Sequence, residues 1–288
     1  MISNLKDILI PAQDGGYAVA CFNVFGYEDA LAVVEAAEVR NASVILSINL
    51  DMRQFMTMEQ IIGMLRPMAE KAKIPVCLHL DHTYEMDIVK QAVDSGFTSV
   101  MFDGSQLSIS ENITAIQDIV SYAHPKGVSV EAEVGSVPYS SGRDHIKSAI
   151  TEVSEALAME EQGQPDALAI SIGNVHRLES GSVAIDLVRY NELEKALSLP
   201  LVIHGTSGLE DKDIQMLALR QVAKFNVGTI LRKSFGNSLR TTLESDPDFF
   251  DRITIMQKVI RGGYFPSGGS MICEVRLCTR RAAIHCWS

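Results

Sequence analysis

Three histidines sit where short apolar runs give way to polar ones. His82 closes PVCLHLDH, His176 lies in GNVH after ALAISIG, and His204 falls within PLVIHGTS. Three neutral imidazoles that leave one coordination position open form the donor set of a catalytic zinc site, where a substrate oxygen takes the vacancy. Singly, each reads equally as a hydrogen-bonded loop histidine, so the metal reading depends on all three meeting at one place. Asp81 immediately precedes His82. A carboxylate there has two readings: a general base that takes a hydroxyl proton as the neighbouring bond breaks, or a partner that orients a histidine ring. His79 shares the side of Asp81 by the two-residue strand period and reads as an interior residue, not a ligand.

Further acids occur at Asp103 in FDGS and at Glu131 and Glu133 in EAEVG. The two glutamates project to the same side of a strand. Such carboxylates hold histidine ligands, coordinate a second ion, or pair with lysines inside a barrel. The last constellation is Gly205-Thr206-Ser207-Gly208, followed one run later by Asn226-Val227-Gly228-Thr229. Loops of this composition bind phosphate through backbone N–H groups, hydroxyls and a following helix N-terminus, although ordinary turn chemistry also selects Gly, Ser and Thr.

These residues need elements that bring them together. Eight short β-branched or apolar runs start at Tyr17, Ser43, Pro75, Ser99, Val128, Ala167, Pro200 and Val222. They alternate with segments of helical period, among them YEDALAVVEAAEVR and YEMDIVKQAVDSG. That is the pattern of repeated βα units around a parallel sheet, and eight units close a barrel. A doubly wound open sheet shares the pattern. The third to eighth runs, however, all end in polar or glycine-containing clusters, which a barrel gathers at one mouth and an open sheet spreads along an edge. The expectation is therefore an α/β fold of the (β/α)8 TIM-barrel type over residues 1–260. The stretch from Ser136 to about Ala149 reads as a long mobile loop after the fifth strand. From Arg261 the chain turns glycine-, arginine- and cysteine-rich, so 261–288 reads as a C-terminal extension of undefined order.

Composition supports one catalytic domain: 288 residues, 47% hydrophobic, are enough to bury a barrel core. The formal net charge of -11 speaks against general binding to nucleic acid or anionic membranes, so an anionic ligand must be held by local geometry. The start carries no basic segment followed by a long apolar core, and no apolar run approaches the ~20 residues of a membrane span. A cytoplasmic protein is expected. Cys21 and Cys77 read as small buried hydrophobes, and Cys273, Cys278 and Cys286 lack the CxxC spacing of a zinc ribbon.

As a set, the motifs resemble the class II ketose-bisphosphate aldolases. The resemblance runs from FNV at Phe22 to NVGT at Thr229, with HLDHT, FDGS, VEAEVG, GNVH and HGTSG in the family's order. It implies a divalent metal, usually zinc, on His82, His176 and His204, with Asp103 and Glu133 as acids at the metal and room for a second monovalent or divalent cation. It implies Asp81 as the base for the substrate C4 hydroxyl. Gly205, Ser207, Asn226 and Thr229, with Asn23 and Gly228, would hold the dihydroxyacetone-phosphate end. The reaction implied is cleavage or formation of a phosphorylated ketose through an enediolate, with no lysine Schiff base, in a homodimer or homotetramer. Two positions depart from the pattern. Arg177 follows His176 where the family usually has glycine; it either clasps a phosphate or carboxylate or fills the space glycine leaves. The family's GGxED loop acid is missing from VPYSSGRD, where Asp144 and Tyr139 are the nearby candidates. The expectation is a metal-dependent aldolase of altered specificity. The alternative is a non-catalytic metal- or partner-binding relative, and the loop discriminates, since only an enzyme needs a replacement proton donor. A zinc hydrolase is weaker, for want of an HxH or HExxH pair.

Overall fold

The computed structural model describes residues 1–140, 148–178 and 181–261. Nine strands occur in that span: β1 (Ile2–Ser3), β2 (Val19–Asn23), β3 (Val44–Ile48), β4 (Val76–Thr83), β5 (Ser99–Phe102), β6 (Ser129–Val134), β7 (Ala167–Ile170), β8 (Leu201–Ile203) and β9 (Val222–Val227). Strands β2 to β9 are the eight expected runs, most of them trimmed at their ends, with β4 extended by one residue to Thr83. Nearly every residue in them is buried, which is why they read as continuous apolar runs: a parallel strand covered on both faces has no solvent side.

All pairings are parallel, in the order β4-β3-β2-β9-β8-β7-β6-β5, and β4 also pairs with β5. That last pairing closes the ring and excludes the open sheet. Closure requires the strands to be staggered. β5 joins β4 only from His79 and Leu80 onward, and the unclaimed start of β4, Val76 and Cys77, is taken by β1. This two-residue strand was not foreseen, because its pairing depends on the stagger.

Eleven α-helices accompany the strands among the described residues: α1 (Leu5–Gly15), α2 (Tyr27–Arg40), α3 (Leu50–Phe55), α4 (Met58–Lys71), α5 (Met86–Ser95), α6 (Ile109–Ala123), α7 (Val153–Ala158), α8 (Leu187–Ala196), α9 (Asp211–Ala218), α10 (Thr229–Ser245) and α11 (Arg252–Val259). The two helical periods singled out above are α2 and α5. Helix α1 does not belong to the outer ring. Its Leu5, Ile8, Leu9 and Ala12 pack on interior residues such as Val19, Cys21, Ile45 and Cys77, so it plugs the N-terminal end of the barrel. The larger core lies between barrel and outer helices. With the N-terminal end stoppered by α1, a ligand would enter from the C-terminal mouth.

The long connection after β6 is clipped at its base, where Ser136 and Ala149 exchange backbone hydrogen bonds of 2.7 and 3.2 Å. Asp144 and the tail beyond Arg261, with its three cysteines, lie outside the described residues. No helix among the described residues is long and apolar enough to cross a membrane.

Candidate active site

The ends of β4, β7 and β8 converge, and with them the three histidines. Ring centroids lie 4.9 Å apart for His82 and His176, 4.5 Å for His82 and His204, and 5.7 Å for His176 and His204. One ring nitrogen from each falls within 4.8 Å of the other two. Their other contacts decide which nitrogen each ring presents. His82 Nδ1 donates to Asp103 Oδ2 at 2.8 Å, which leaves its buried Nε2 without a partner. His204 Nε2 donates to Glu131 Oε1 at 2.9 Å, so Nδ1 is its lone-pair nitrogen, which accepts from Asn226 Nδ2 at 3.1 Å until a metal takes its place. His176 stacks on Tyr139, centroids 4.6 Å apart and planes 21° apart, and its buried Nε2 is also unpartnered. Buried polar atoms left without partners are costly. Two orphaned nitrogens and a third lone pair around one point fit a divalent ion, which needs lone pairs aimed inward and second nitrogens held from behind.

Electrostatics agree with an acidic pocket around a cation. Burial opposes a charge on His82, yet Asp81, Asp103 and Glu133 raise it to about 10. Burial and the neighbouring His82 push His176 down to about 3 and His204 well below its usual range. Burial and the charge of Asp103 raise Glu133 well above the usual carboxylate range. Glu133 Oε2 stands 3.7 Å from His82 Nδ1 without a hydrogen-bond partner, and His82, Asp103 and Glu133 form a second compact group of donors.

Asp81 is almost fully buried, but its oxygens do not bond a histidine ring. Oδ2 accepts from Asn23 Nδ2 at 2.8 Å and Oδ1 from Asn226 Nδ2 at 3.2 Å. Burial would raise it; the positive charges of His82, foremost, and Lys224 hold it well below the ordinary range, so it is ionised. Of the two roles open at Asp81, the ring-orienting one falls instead to Asp103 and Glu131. His79 is interior, as expected, with Nδ1 2.9 Å from Ser99 Oγ.

These groups open into a cleft of about 470 Å³ lined by Asn23, Asp81, the three histidines, Arg177, Gly205, Ser207, Asn226, Gly228 and Thr229. Gly205 has φ +67°, and a Cβ there would stand 2.6 Å from the carbonyl of Val175. Only glycine fits. Gly228 starts α10, whose first turn carries no acid, so the positive end of a 17-residue helix faces the cleft uncompensated. Asp103 and Glu133 stand behind His82 and do not line the cleft. Asp51, Tyr84, Arg232 and Lys233 also line it and were not foreseen. Asp51 follows the end of β3 by three residues, and Arg232 stands one helical turn after Thr229, so the polar-end rule applied to the second run, and a helical period begun at Thr229, would have found both.

Arg177 has φ +54°, a left-handed backbone that costs a bulky residue and suits glycine. Its guanidinium lies over Tyr139, 5.4 Å from the ring centroid, and bonds Asp51 Oδ2 at 3.0 Å. Arg232 reaches the same oxygen from α10 at 2.8 Å. Arg177 therefore joins Tyr139 to Asp51 along the cleft wall.

Residues 3–262 match the family described as fructose-bisphosphate aldolase class-II. The chain is 36% identical over 253 residues to a 6-phospho-5-dehydro-2-deoxy-D-gluconate aldolase of Halalkalibacterium halodurans, covering 86% of this chain and 87% of that one. It is 34% identical over 255 residues to a fructose-bisphosphate aldolase of Staphylococcus aureus, covering 86% and 88%. Among solved structures, the YdjI aldolase from Escherichia coli K12 superposes with a TM-score of 0.80 at 27% identity, over 96% of this chain and 97% of that one.

Proposed function

Since the chain belongs to the class II fructose-bisphosphate aldolase family, we propose that it cleaves, or forms, a phosphorylated ketose, giving dihydroxyacetone phosphate and an aldehyde. The observation that carries this reading is the pair of buried, partnerless Nε2 atoms of His82 and His176, beside His204 Nδ1 and an ionised Asp81. Zinc held by these three nitrogens would supply Lewis-acid polarisation of the substrate ketone.

Asp81 accepts the proton of the C4 hydroxyl as the C3–C4 bond breaks. Its low basicity is no obstacle where the hydroxyl it faces is made more acidic on binding, and Asn23 and Asn226 hold both of its oxygens in place meanwhile. The phosphate of the dihydroxyacetone-phosphate end lies against Gly205, Ser207, Gly228 and Thr229, where backbone N–H groups and the N-terminus of α10 favour an anion. Exchange of the C3 proton is assigned to Asp144. Arg177 receives an anionic group at the aldehyde end, and its retention in a left-handed conformation supports a role beyond packing.

The test is aldol cleavage of a panel of phosphorylated ketoses by the zinc-loaded protein, before and after chelation. Cleavage lost on chelation and restored by zinc is the expected result. No cleavage of any ketose by metal-replete protein would favour the non-catalytic relative, and borohydride trapping of substrate on a lysine would overturn the mechanism.

A further inference from the structure

Beneath the histidines lies a charge that the proposed mechanism does not use. Lys224 is fully buried inside the barrel. Its position early in β9 suggests the closed end, but its side chain runs along the interior towards the mouth. Nζ lies 2.9 Å from Glu131 Oε2, donates to Glu131 Oε1 at 3.1 Å, and donates to Asn226 Oδ1 at 2.7 Å. Glu131 accepts from His204 Nε2 at 2.9 Å, and His204 Nδ1 accepts from Asn226 Nδ2 at 3.1 Å. Without a metal the four side chains form a closed ring of hydrogen bonds drawn from β6, β9 and the end of β8; zinc on His204 Nδ1 would open it at that one bond and leave His204, Glu131, Lys224 and Asn226 linked in a chain.

The ring settles a choice that Asn226 cannot make alone. The two ends of a side-chain amide are nearly the same shape, but an ammonium has three donors and no acceptor. Only the oxygen of Asn226 can face Lys224. Its NH2 group must then point the other way, where one hydrogen meets Asp81 Oδ1 and the other, while no metal holds that nitrogen, His204 Nδ1; the contact with Asp81 is the one that persists when zinc takes Nδ1. Turned over, the amide would set N–H against ammonium and a carbonyl against the Asp81 carboxylate.

We infer that Lys224 is a positioning residue: through Asn226 it holds an amide donor on Asp81, and through Glu131 it holds the ring of His204. Burial works against its charge, and Glu131 and Asp81 more than offset this. A buried ion pair is a poor source of stability compared with apolar packing, so its retention under the site fits a role in geometry.

The kinetic arm of the test rests on the aldolase reading; the spectroscopic arm does not. Lys224→Met alone leaves Glu131 charged and unpaired, so the decisive protein is Lys224→Met/Glu131→Gln, which removes both charges. In zinc-loaded, 15N-asparagine-labelled protein, the side-chain amide pair of Asn226, identified by its disappearance in Asn226→Asp, should be protected from exchange in the native protein and lose that protection in the double variant. For a cleaved ketose, kcat should fall about 10–100-fold, with KM within about twofold. A folded, zinc-replete double variant with native Asn226 resonances overturns the proposal whatever the kinetics. Native kcat in that variant likewise reduces Lys224 to a charge balance for Glu131. If the native protein cleaves no ketose, the aldolase reading fails and the resonances still judge Lys224.

Discussion

Replacing Gly205 by alanine should damage the metal centre without touching a ligand. The perturbation has two parts. Alanine at φ +67° carries the left-handed penalty, about 1–2 kcal/mol. Its Cβ would also stand 2.6 Å from the carbonyl carbon and oxygen of Val175 and 3.0 Å from the nitrogen of His176, against an ordinary contact of 3.4 Å or more. The backbone entering His176 must therefore move by about 0.8 Å, since a backbone clash is not relieved by a rotamer change. That segment is held on its other side, where His176 N bonds Pro138 O at 2.8 Å and the ring stacks on Tyr139, so the shift is passed to the imidazole. Zinc affinity, read by competition with a chromophoric chelator, should fall about 10–100-fold. Melting temperature should fall by about 2–8 °C from the strain alone. Gly127→Ala is the control: φ is +73°, nothing lies within 4 Å of the added Cβ, and the residue sits just before β6, at the stoppered end. It should melt lower by a similar amount and bind zinc as the native protein does. Equal zinc affinities for the two variants would refute the claim that Gly205 spaces the β8 loop from His176.

Asp81→Asn keeps the shape of the side chain and removes its basicity, so cleavage should slow by about 10²–10⁴-fold at unchanged zinc content; unchanged cleavage would dismiss Asp81 as the base. Arg177→Gly relieves a left-handed arginine and should raise stability by about 1 kcal/mol, while KM for ketoses with an anionic group at the aldehyde end rises about tenfold and KM for neutral analogues stays put; an equal effect on both would assign Arg177 to packing. In the metal-free protein His82 is raised from 6.5 to about 10, so its contribution to stability is complete below pH 6.5 and is lost as pH rises through about 10. Zinc requires the neutral ring, and uptake near pH 7.5 should therefore release a proton, read by calorimetry in buffers of different ionisation heat, with affinity increasing towards higher pH. Uptake with no proton release would contradict the raised His82.

What was legible in the sequence is what local pattern controls. Apolar runs and helical periods are set by which residues must be buried along one stretch of chain, so the eight barrel strands and helices such as α2 and α5 could be read from order alone. Because β-strands in a barrel all point the same way, residues at their ends share a mouth, and His82, His176, His204, Asp81, Asn226 and the Gly205 loop were found by position. Asp144 was named only because the family resemblance implies a loop acid, and it falls outside the described residues. Tertiary structure decided whatever depends on distance across the barrel. The stagger of the strands created the slot for β1 and set how far Lys224 reaches from β9 to Glu131 on β6. It chose Asp103 as the partner of His82 and Glu131 as that of His204, and so decided that one ring offers Nε2 and the other Nδ1. It joined Arg177 and Arg232, 55 positions apart in the chain, on Asp51. Periodicity tells which side of its own strand a residue occupies. Which side chain it meets there depends on the shear and diameter of the closed barrel, which belong to all eight strands at once.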